Sequence, residues 1–526
     1  MAEHSFGAGA GFSPTSEQVA IIDAAKENID ISIEALAGTG KTTTLKLLAD
    51  SRDRLQGVYI AFNRSIVDEA KSKFPTNVTC STAHGLAFRA VGREYVKRLN
   101  STQRLSFKQI AEWLEVPPFR FKSSISDHLL DEWQVVRYVQ KTVENFCKSI
   151  DQNIFPKHVA MPEIISTNYL LAENFSEMVL PFAKKVWNDL LLHEGIMKFS
   201  HDYYLKMWQL TKPIISASYI LFDEAQDADP VMLDVVNSQT SSQLIYCGDQ
   251  FQAIYEWRGA KNALAMMEVD QHLWLTQSFR FGDAIAEKAN ELLAMLNSPE
   301  MIKGFSNVGS HLERIENPDA ILCRTNAGVI SALLSELDKG RSVSIIGRTQ
   351  ELINFVEACQ QLLLGGRTGH PELAPFLTWA DVLEFVEEYP DEAQELRTMV
   401  KLVESFGVSK LLSALDQVVV EARADVVLST AHRAKGREWN KVKLNGDFLH
   451  IDDMDTEDLR LAYVAITRAK KILDMTEWNL IKPLASQQKV TPELIVTNKV
   501  RPPINVDAEK KSEIKRGLLS RLKRLK

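Results

Sequence analysis

Short runs of aliphatic and β-branched residues alternate with longer amphipathic stretches in two separate regions of the chain. This alternation is typical of parallel sheets whose strands are joined by crossover helices. In the first region it predicts strands at residues 31–36, 58–62, 78–81, 219–223 and 244–248. In the second region it predicts strands at residues 321–324, 343–346, 426–430, 442–445 and 471–475. The pattern therefore predicts an α/β protein with two parallel-sheet domains.

Two segments interrupt this alternation, and each is predicted to be a helical insertion. The first is rich in Leu, Lys, Glu and aromatic residues and shows no strand alternation. The predicted first domain comprises residues 1–90 and 213–278, with its insertion at 91–212. The predicted second domain comprises residues 279–349 and 423–490, with a short insertion at 350–422 and a C-terminal tail at 491–526.

Composition narrows the class of protein. Hydrophobic residues make up 45% and charged residues 25% of the chain, as in ordinary globular proteins. No apolar run is long enough for a membrane span, and the N-terminus lacks the basic and apolar regions of a secretory signal, so we expect a cytoplasmic protein, associated with the nucleoid if bacterial. The five cysteines show no CxxC spacing and are predicted to be buried thiols.

Charge limits how the chain can meet nucleic acid. The net charge of −8 argues against a protein that coats nucleic acid through bulk electrostatics, so any contact must come from a local groove. Residues 509–526 differ, because they hold eight basic and two acidic residues, with leucines at helical spacing. This tail could bind DNA or a protein partner as a basic amphipathic helix, or could be a solvated terminus.

A nucleotide site is indicated by ALAGTGKT at residues 35–42, which lies between a predicted strand and a predicted helix. In such a phosphate-binding loop, glycines let backbone amides approach phosphate, Lys41 reaches the β- and γ-phosphates, and Thr42 can bind Mg²⁺. The residues predicted to surround the phosphates are Ala37, Gly38, Thr39, Gly40, Lys41, Thr42 and Thr43. ATP and Mg²⁺ are therefore the expected ligands.

Two adjacent carboxylates end another predicted strand, in the sequence LFDEAQD at residues 221–227. Phosphoryl transfer to water needs one group that holds the metal and another that orients or deprotonates the water. We assign Asp223 to the metal and Glu224 to the water. An isolated Asp-Glu pair would be an ordinary charged strand end, but the phosphate loop favours the catalytic interpretation.

A family resemblance begins at DEAQD and continues in CGDQFQAIYEWRGA at residues 247–260. Both resemble motifs of superfamily 1 helicases of the UvrD/Rep/PcrA type. That family's other motifs are matched in order by FSPTSEQVAII, AFNRS, STAHGLAF, LTQSFR, ILCRTNA, STAHRAKGREW and LRLAYVAITRAKK. They extend from Gln18 to Lys471, so order and spacing carry the resemblance.

The resemblance implies two RecA-like P-loop domains with ATP in the cleft between them. By motif position, the residues expected at the γ-phosphate are the sensor Gln252 and the arginine fingers Arg280 and Arg468. The residues expected at the adenosine are Gln18, Phe279 and Glu438. Ser278-Phe279-Arg280 replaces the commoner Asn-Tyr-Arg, so the aromatic face is kept and a hydroxyl is lost.

A DNA track is implied by further motif positions, since aromatic side chains can stack on bases of any sequence. Tyr255, Trp257 and Arg258 follow the sensor Gln252 by only a few residues, so a shift at the γ-phosphate could move them directly. The other expected contacts are Phe62, Asn63, His84 and His432. Phe62 and His84 could instead be core or strand-capping residues.

These features predict an ATP-dependent helicase that moves 3′ to 5′ on single-stranded DNA and unwinds duplexes at single-strand junctions. It would serve repair, recombination or mobile-element and defence biology. The motif wording is closest to the F-box DNA helicase branch, although we find no stretch that would form an F-box. The short second insertion and the basic tail also suit an alternative, a DNA-stimulated ATPase that acts as a switch or recruits a partner and unwinds little by itself.

Overall fold

The structure is a computed structural model that describes residues 13–478 apart from short gaps. The gaps are residues 103–104, 123–126, 167, 255–263, 265–266, 348, 367, 369, 371–372, 374–375, 377 and 389–393. Tyr255, Trp257, Arg258 and the basic tail therefore lie outside the described residues. The chain divides into two compact units, Met1–Gln277 (unit 1) and Ser278–Lys526 (unit 2).

Unit 1 is built on a six-stranded sheet in which every pair of neighbouring strands is parallel. The strands of this unit are β1 Ile31–Ala35, β2 Gly57–Ala61, β3 Val78–Thr82, β4 Phe119–Lys122, β5 Asp127–Leu130, β6 Tyr219–Asp223, β7 Gln243–Gly248 and β8 Gln271–Leu275. The order across the sheet is β3-β2-β6-β7-β1-β8. Strands β4 and β5 lie outside this sheet.

Eleven helices are described in unit 1: α1 Ser16–Lys26, α2 Lys41–Asp50, α3 Arg64–Lys73, α4 Ala83–Ala90, α5 Val96–Leu99, α6 Phe107–Leu114, α7 Glu132–Cys147, α8 Glu163–Ser166, α9 Tyr169–Leu191, α10 His201–Leu210 and α11 Pro230–Asn237. Helices α1, α2 and α3 cover one face of the sheet, where Ile21, Ile33 and Leu45 share a buried core. The opposite face packs against the insertion, and Ile60 and Phe222 belong to that core. Both faces are covered, as parallel sheets require.

The insertion between β3 and β6 is mainly helical, with α7 packed against α6 and α9. It also contains an antiparallel hairpin of β4 and β5, in which Phe119 pairs with Leu130. The sequence pattern, which shows no strand alternation in this segment, missed the hairpin. Phe119 packs edge-on against Phe175 of α9, with ring centroids 5.0 Å apart, so a tertiary contact supports a hairpin too short to show a period of its own.

Unit 2 repeats the architecture with a second six-stranded sheet, again parallel throughout. Its strands are β9 His311–Leu312, β10 Ala320–Cys323, β11 Val343–Ile345, β12 Val426–Thr430, β13 Trp439–Leu444 and β14 Ala469–Asp474, in the order β11-β12-β10-β13-β14-β9. Its helices are α12 Asp283–Met295, α13 Asn326–Asp338, α14 Thr349–Leu363, α15 Trp379–Glu388, α16 Gln394–Phe406, α17 Val408–Asp416, α18 Ala431–Ala434 and α19 Thr456–Ile466. Helices α14 to α17 form the second insertion, so the predicted fold class of two parallel-sheet domains with helical insertions is confirmed.

All ten predicted strands are present, with small differences at their ends. The sequence pattern missed β8 and β9, each at the edge of its sheet. Gln271 and His272 of β8 are exposed, as are both residues of β9. Edge strands that face solvent carry polar residues and lose the apolar run by which buried strands are recognised.

Two further expectations can be compared with the structure. All five cysteines are buried and none is in a disulfide, as predicted. In the part of the chain that the structure describes, no helix is both long and apolar enough to cross a membrane.

Candidate functional site

Most of the predicted site residues of unit 1 lie where strands of its sheet end. The phosphate loop follows β1, Asp223 ends β6, and the sensor turn at Gln250–Gln252 follows β7. Because the sheet is parallel, these carboxyl ends share one edge, which is where ligands bind in α/β folds. The predicted DNA contacts Phe62 and His84 follow β2 and β3 at the same edge.

The phosphate loop has the backbone geometry that anion binding requires. Gly38 and Gly40 have φ values of 74° and 79°, in the left-handed region that favours glycine. Gly40 precedes α2 and has no side chain with which to cap it, so the first amides of the helix can face a phosphate. The Thr39 hydroxyl donates to the Leu36 carbonyl at 2.7 Å, which braces the loop.

Lys41 and the paired carboxylates meet directly. The Nζ of Lys41 lies 2.9 Å from Oε1 of Glu224 in a partly buried ion pair. Burial alone would lower the pKa of Lys41, but Glu224, Asp223 and Asp249 together raise it, so the lysine is charged. A cation and two carboxylates therefore stand beside the phosphate loop.

The backbone at the carboxylates is unusual for residues other than glycine. Glu224 has a φ of 53° and a ψ of 41°, and its N–H donates to Oδ1 of Asp223 at 2.9 Å. Left-handed backbone at a residue of this kind costs free energy and is concentrated at functional sites. The strand thus ends in a turn that aims the two side chains differently.

Asp223 is almost fully buried and has a partner that the sequence analysis missed. The hydroxyl of Tyr59 on β2 donates to Oδ2 of Asp223 at 2.5 Å. Burial, with Glu224 close by, raises the pKa of Asp223 to about 6, although Lys41 opposes the shift. A tyrosine in a fully buried strand needs a hydrogen-bond partner, and this need was the available sequence signal for Tyr59.

The donor set fits the expected ligands. Loop amides and Lys41 suit phosphate, while the oxygens of Thr42 and Asp223 are the hard ligands that Mg²⁺ prefers. Thr42 and Lys41 are half-buried in the first turn of α2, and Thr43 is exposed. Ala37 and Thr39, within the loop itself, are buried.

Gln18 is buried beside the same helix. Its Oε1 accepts from the N–H of Thr15, and the Thr15 hydroxyl accepts from Gln18 N, which together form a capping box at the start of α1. Its Nε2 donates to the Thr44 hydroxyl at 3.0 Å, and that hydroxyl donates to the Gly40 carbonyl. Gln18 therefore contacts the helix that carries Lys41 and Thr42.

The sensor turn is held by three buried polar residues that the sequence analysis did not single out. Gln252 donates from Nε2 to Oδ2 of Asp249 at 2.5 Å. Gln226 accepts from the N–H of Asp249 at 3.1 Å and donates to Oε2 of Glu224 at 2.5 Å. Glu34 accepts from the N–H of Gln250 at 2.7 Å.

Glu34 is an ionisable residue in an interior strand. Burial, reinforced by Asp249, raises its pKa to about 8, so its carboxyl is mostly protonated at neutral pH. A glutamate within a run of apolar residues was a visible signal, because charged residues are rarely buried without a partner.

The described DNA candidates of unit 1 are partly engaged within the protein. Asn63 is exposed and caps α3, since its side chain accepts from the N–H of Ile66. Phe62 is half-buried. His84 lies 3.3 Å from Asp202 of α10 and meets the ring of Tyr204 edge-on.

In unit 2 the structure brings Arg280, Glu438 and Arg468 together. Arg280 donates from Nε to Oε2 of Glu438 at 2.7 Å and from Nη1 to the Thr467 carbonyl at 2.9 Å. Lys470 also contacts Glu438, at 3.2 Å. Burial alone would raise the pKa of Glu438, but Arg280 and Lys470 bring it below its usual value.

Arg468 is the largest side chain in the fully buried set of described residues. Its guanidinium donates to the carbonyls of Val464 and Arg437 and to the Thr467 hydroxyl. Phe279 is half-buried and packs edge-on against Phe305, 5.4 Å between centroids. His432 is half-buried in α18, after β12.

Comparison with known proteins identifies the two halves of the chain. Residues 15–272 match the UvrD/REP helicase N-terminal domain, and residues 368–479 match the UvrD-like helicase C-terminal domain. The chain is 29% identical to F-box DNA helicase protein 1 of Schizosaccharomyces pombe, over 88% of this chain and 57% of that protein. It is 30% identical to F-box DNA helicase 1 of Gallus gallus, over 85% of this chain and 47% of that protein.

A bacterial protein named as a probable DNA helicase, from Mycoplasma pneumoniae, is 25% identical over 68% of this chain and 58% of its own length. The chain thus spans only about half the length of the curated relatives it matches. The two domain matches agree with the family that the order of the sequence motifs had indicated. The chain belongs to the UvrD/REP family of superfamily 1 helicases.

Proposed function

We propose that this chain is an ATP-dependent DNA helicase that moves 3′ to 5′ along single-stranded DNA and separates duplexes at single-strand junctions. The observation that carries the proposal is the cluster of Lys41, Asp223 and Glu224 beside a glycine loop whose backbone suits a phosphate. This combination is what hydrolysis of a nucleoside triphosphate needs.

The ion pair between Lys41 and Glu224 suggests how binding of ATP would prepare its hydrolysis. A γ-phosphate attracts Lys41 away from Glu224, because the phosphate carries more negative charge than one carboxylate. Glu224 is then able to accept a proton from the attacking water. Asp223 and Thr42 would hold Mg²⁺, which supplies charge neutralisation at the β- and γ-phosphates when bound.

The remaining nucleotide contacts are proposed from motif position. Gln252 is proposed to sense the γ-phosphate, while Arg280 and Arg468 stabilise the charge that develops on it. Gln18, Phe279 and Glu438 are proposed to contact the adenosine. The ion pairs of Glu438 with Arg280 and Lys470 keep its carboxylate ionised, which suits a hydrogen bond to a ribose hydroxyl.

DNA is proposed to contact Tyr255, Trp257 and Arg258, together with Phe62, Asn63, His84 and His432. The polarity rests on resemblance to the subgroup that moves 3′ to 5′. A role in repair, recombination or mobile-element defence, in the cytoplasm or nucleoid where such DNA lies, is part of the same proposal. The basic tail is proposed to add a DNA or protein contact, and truncation after Val506 should then flatten the salt dependence of DNA binding.

The decisive experiment measures ATP turnover with and without single-stranded DNA, followed by unwinding of 3′- and 5′-tailed duplexes. We expect DNA-stimulated turnover and unwinding from the 3′ tail in the wild type. Glu224→Gln should reduce turnover by about 10² to 10⁴-fold, the usual contribution of a general base. Glu27→Gln, an exposed glutamate of unit 1, is the control and should leave turnover unchanged.

Each alternative has its own result. Unwinding only from a 5′ tail would overturn the polarity. Turnover without unwinding would favour the DNA-stimulated switch. Turnover that survives Glu224→Gln would remove the proposed role of this residue.

A further inference from the structure

We propose that Gln226 is a positioning residue that links the water-activating carboxylate of Glu224 to the γ-phosphate sensor Gln252. This inference rests on the proposed function and assigns a role to a residue that lies between the two proposed site residues. Gln226 does not touch ATP in this scheme. It acts by holding Glu224 and by following the sensor turn.

The first half of the link is the amide group of Gln226, which is used at both ends. Its Nε2 donates to Oε2 of Glu224 at 2.5 Å and lies 3.3 Å from Oδ2 of Asp227. Its Oε1 accepts from the backbone N–H of Asp249 at 3.1 Å. Gln226 is fully buried, so water does not compete for these bonds.

The second half of the link runs from Asp249 to the sensor. Oδ2 of Asp249 accepts from Nε2 of Gln252 at 2.5 Å, and Oδ1 accepts from the N–H of Phe251 at 3.0 Å. Three hydrogen bonds therefore connect Glu224 with Gln252 through Gln226 and Asp249. Lys41 holds the other oxygen of Glu224, so the carboxylate is fixed on both sides.

The absence of a side chain at Gly248 leaves space for the amide group of Gln226. Gly248 ends β7 directly before Asp249, and a Cβ at Gly248 would collide with Oε1 of Gln226. A side chain there would push the amide away from the N–H of Asp249. Glycine at this position therefore preserves the link.

A movement of the sensor would be transmitted because Gln226 binds the backbone of the turn rather than a flexible side chain. If Gln252 turns towards a γ-phosphate, it pulls on Asp249, and the N–H of Asp249 shifts with the turn. Gln226 must then adjust the orientation of Glu224. The attacking water would be activated only when Gln252 contacts the γ-phosphate. This would couple hydrolysis to the position of the predicted DNA contacts Tyr255, Trp257 and Arg258, which follow Gln252 in sequence.

The experiment is Gln226→Met, which keeps length and flexibility and removes both the donor and the acceptor. We expect kcat at saturating ATP and single-stranded DNA to fall about 10- to 100-fold, with KM for ATP changed less than about threefold. The ratio of DNA-stimulated to basal turnover should fall towards one. A residue with only a structural role would lower both rates together and leave this ratio intact.

Gln239→Met is the matched control, because Gln239 is also buried and also uses both ends of its amide. It accepts from the N–H of Ile215 and donates to the carbonyls of Pro213 and Val235. We expect it to lower the thermal midpoint about as much as Gln226→Met does. The stimulation ratio should stay at the wild-type value.

A double-mutant cycle tests the connection itself. If Gln226 and Gln252 act through one chain of hydrogen bonds, Gln226→Met should cost little more once Gln252→Ala is present. Multiplicative losses in kcat would contradict the link, as would an unchanged stimulation ratio in Gln226→Met. If Gln226→Met does not fold, Gly248→Ala is the second test, because its Cβ would displace the amide of Gln226, together with the tip of Leu264, without deleting either. It should also lower the ratio, and a full ratio in this variant would contradict the link.

Failure of this inference can be told apart from failure of the proposed function. A wild-type chain without DNA-stimulated turnover would overturn the proposed function. A wild-type chain with such turnover, together with a Gln226→Met or Gly248→Ala variant that keeps the full stimulation ratio, would overturn the link alone.

Discussion

The two units use the same sheet architecture but treat the start of a crossover helix in opposite ways. In unit 1 the loop between β1 and α2 carries two left-handed glycines, and the helix begins without a side-chain cap. In unit 2 the junction between β10 and α13 is capped by Thr325, whose hydroxyl accepts from the N–H of Gly328.

Asp447 completes the closure in unit 2. Its carboxylate accepts from the backbone N–H groups of Arg324 and Thr325 at 3.0 and 2.9 Å, and from the Thr325 hydroxyl at 2.8 Å. A Cβ at Gly328 would collide with this carboxylate. In unit 2 the carboxylate of Asp447 thus supplies the negative charge that favours this helix terminus. In unit 1 no side chain of the described residues caps α2, so a bound anion could take that position.

The candidate site residues also lie at different edges of the two sheets. In unit 1 the candidate catalytic residues follow strands, at the carboxyl edge of the sheet. In unit 2 Glu438 and Arg468 stand directly before β13 and β14, at the amino edge. The same sheet architecture can therefore present its candidate site residues at either edge, depending on which strand ends carry the polar residues.

Substitutions of Lys41 and Arg280 should separate ATP binding from catalysis. Lys41→Ala should weaken ATP binding and turnover together, whereas Arg280→Ala should lower kcat about 10³-fold or more and change ATP affinity less than about threefold. Turnover assays and equilibrium binding of a fluorescent ATP analogue measure the two quantities. Arg423→Ala, an exposed arginine of unit 2, is the control. Equal losses of ATP affinity in the Lys41 and Arg280 variants would contradict the different roles proposed for these two residues.

The next effect concerns the closed junction of unit 2. Asp447→Ala leaves four donors without their carboxylate, the fourth being the side-chain amide of Asn445, and should lower the free energy of unfolding by about 2–4 kcal/mol. Urea unfolding followed by circular dichroism measures it. ATP affinity should not change, because Asp447 is hydrogen-bonded to Arg324, Thr325 and Asn445, none of which is proposed to contact ATP. Asp416→Ala, at an exposed position, should cost less than about 0.5 kcal/mol.

A loss of ATP affinity in a folded Asp447→Ala protein would contradict the purely structural role expected for this carboxylate. An unchanged unfolding free energy would instead show that the helix terminus of α13 does not depend on the carboxylate.

A smaller effect is expected from the buried carboxyl of Glu34 in unit 1. The pKa of Glu34 is raised by burial from 4.5 to about 8, so the folded protein holds this proton more tightly than the unfolded chain does. Its contribution to stability is full below pH 4.5 and is lost as pH rises through 8. Between pH 7 and pH 9 the wild type should lose about 1 kcal/mol that Glu34→Gln does not lose.

Unfolding curves at several pH values measure this difference. Glu27→Gln, at an exposed site, should follow the wild type. Parallel pH profiles for the wild type and Glu34→Gln would mean that Glu34 is ionised in the folded protein at neutral pH.

Much of this molecule was predictable from local pattern. Buried parallel strands are continuous apolar runs, so β1, β6 and β12 were recognisable without any neighbour. The phosphate loop was recognisable because its glycines, Lys41 and Thr42 are consecutive in sequence and their chemistry depends on backbone conformation at that junction. The family resemblance then indicated the distant positions Arg280 and Arg468.

The rest required the fold, because it depends on residues far apart in sequence. The bond from Tyr59 to Asp223, the closure of α13 by Asp447 and the edge strand β8 have no signature within a local window. The path from Glu224 through Gln226 to the sensor turn exists only because β6 and β7 are neighbours in the sheet. Sequence by itself determined the main candidates for the chemistry, since these follow from side-chain type, local backbone and motif order. Tertiary structure decided which buried polar groups meet, since each must find a partner and the order of the strands selects it.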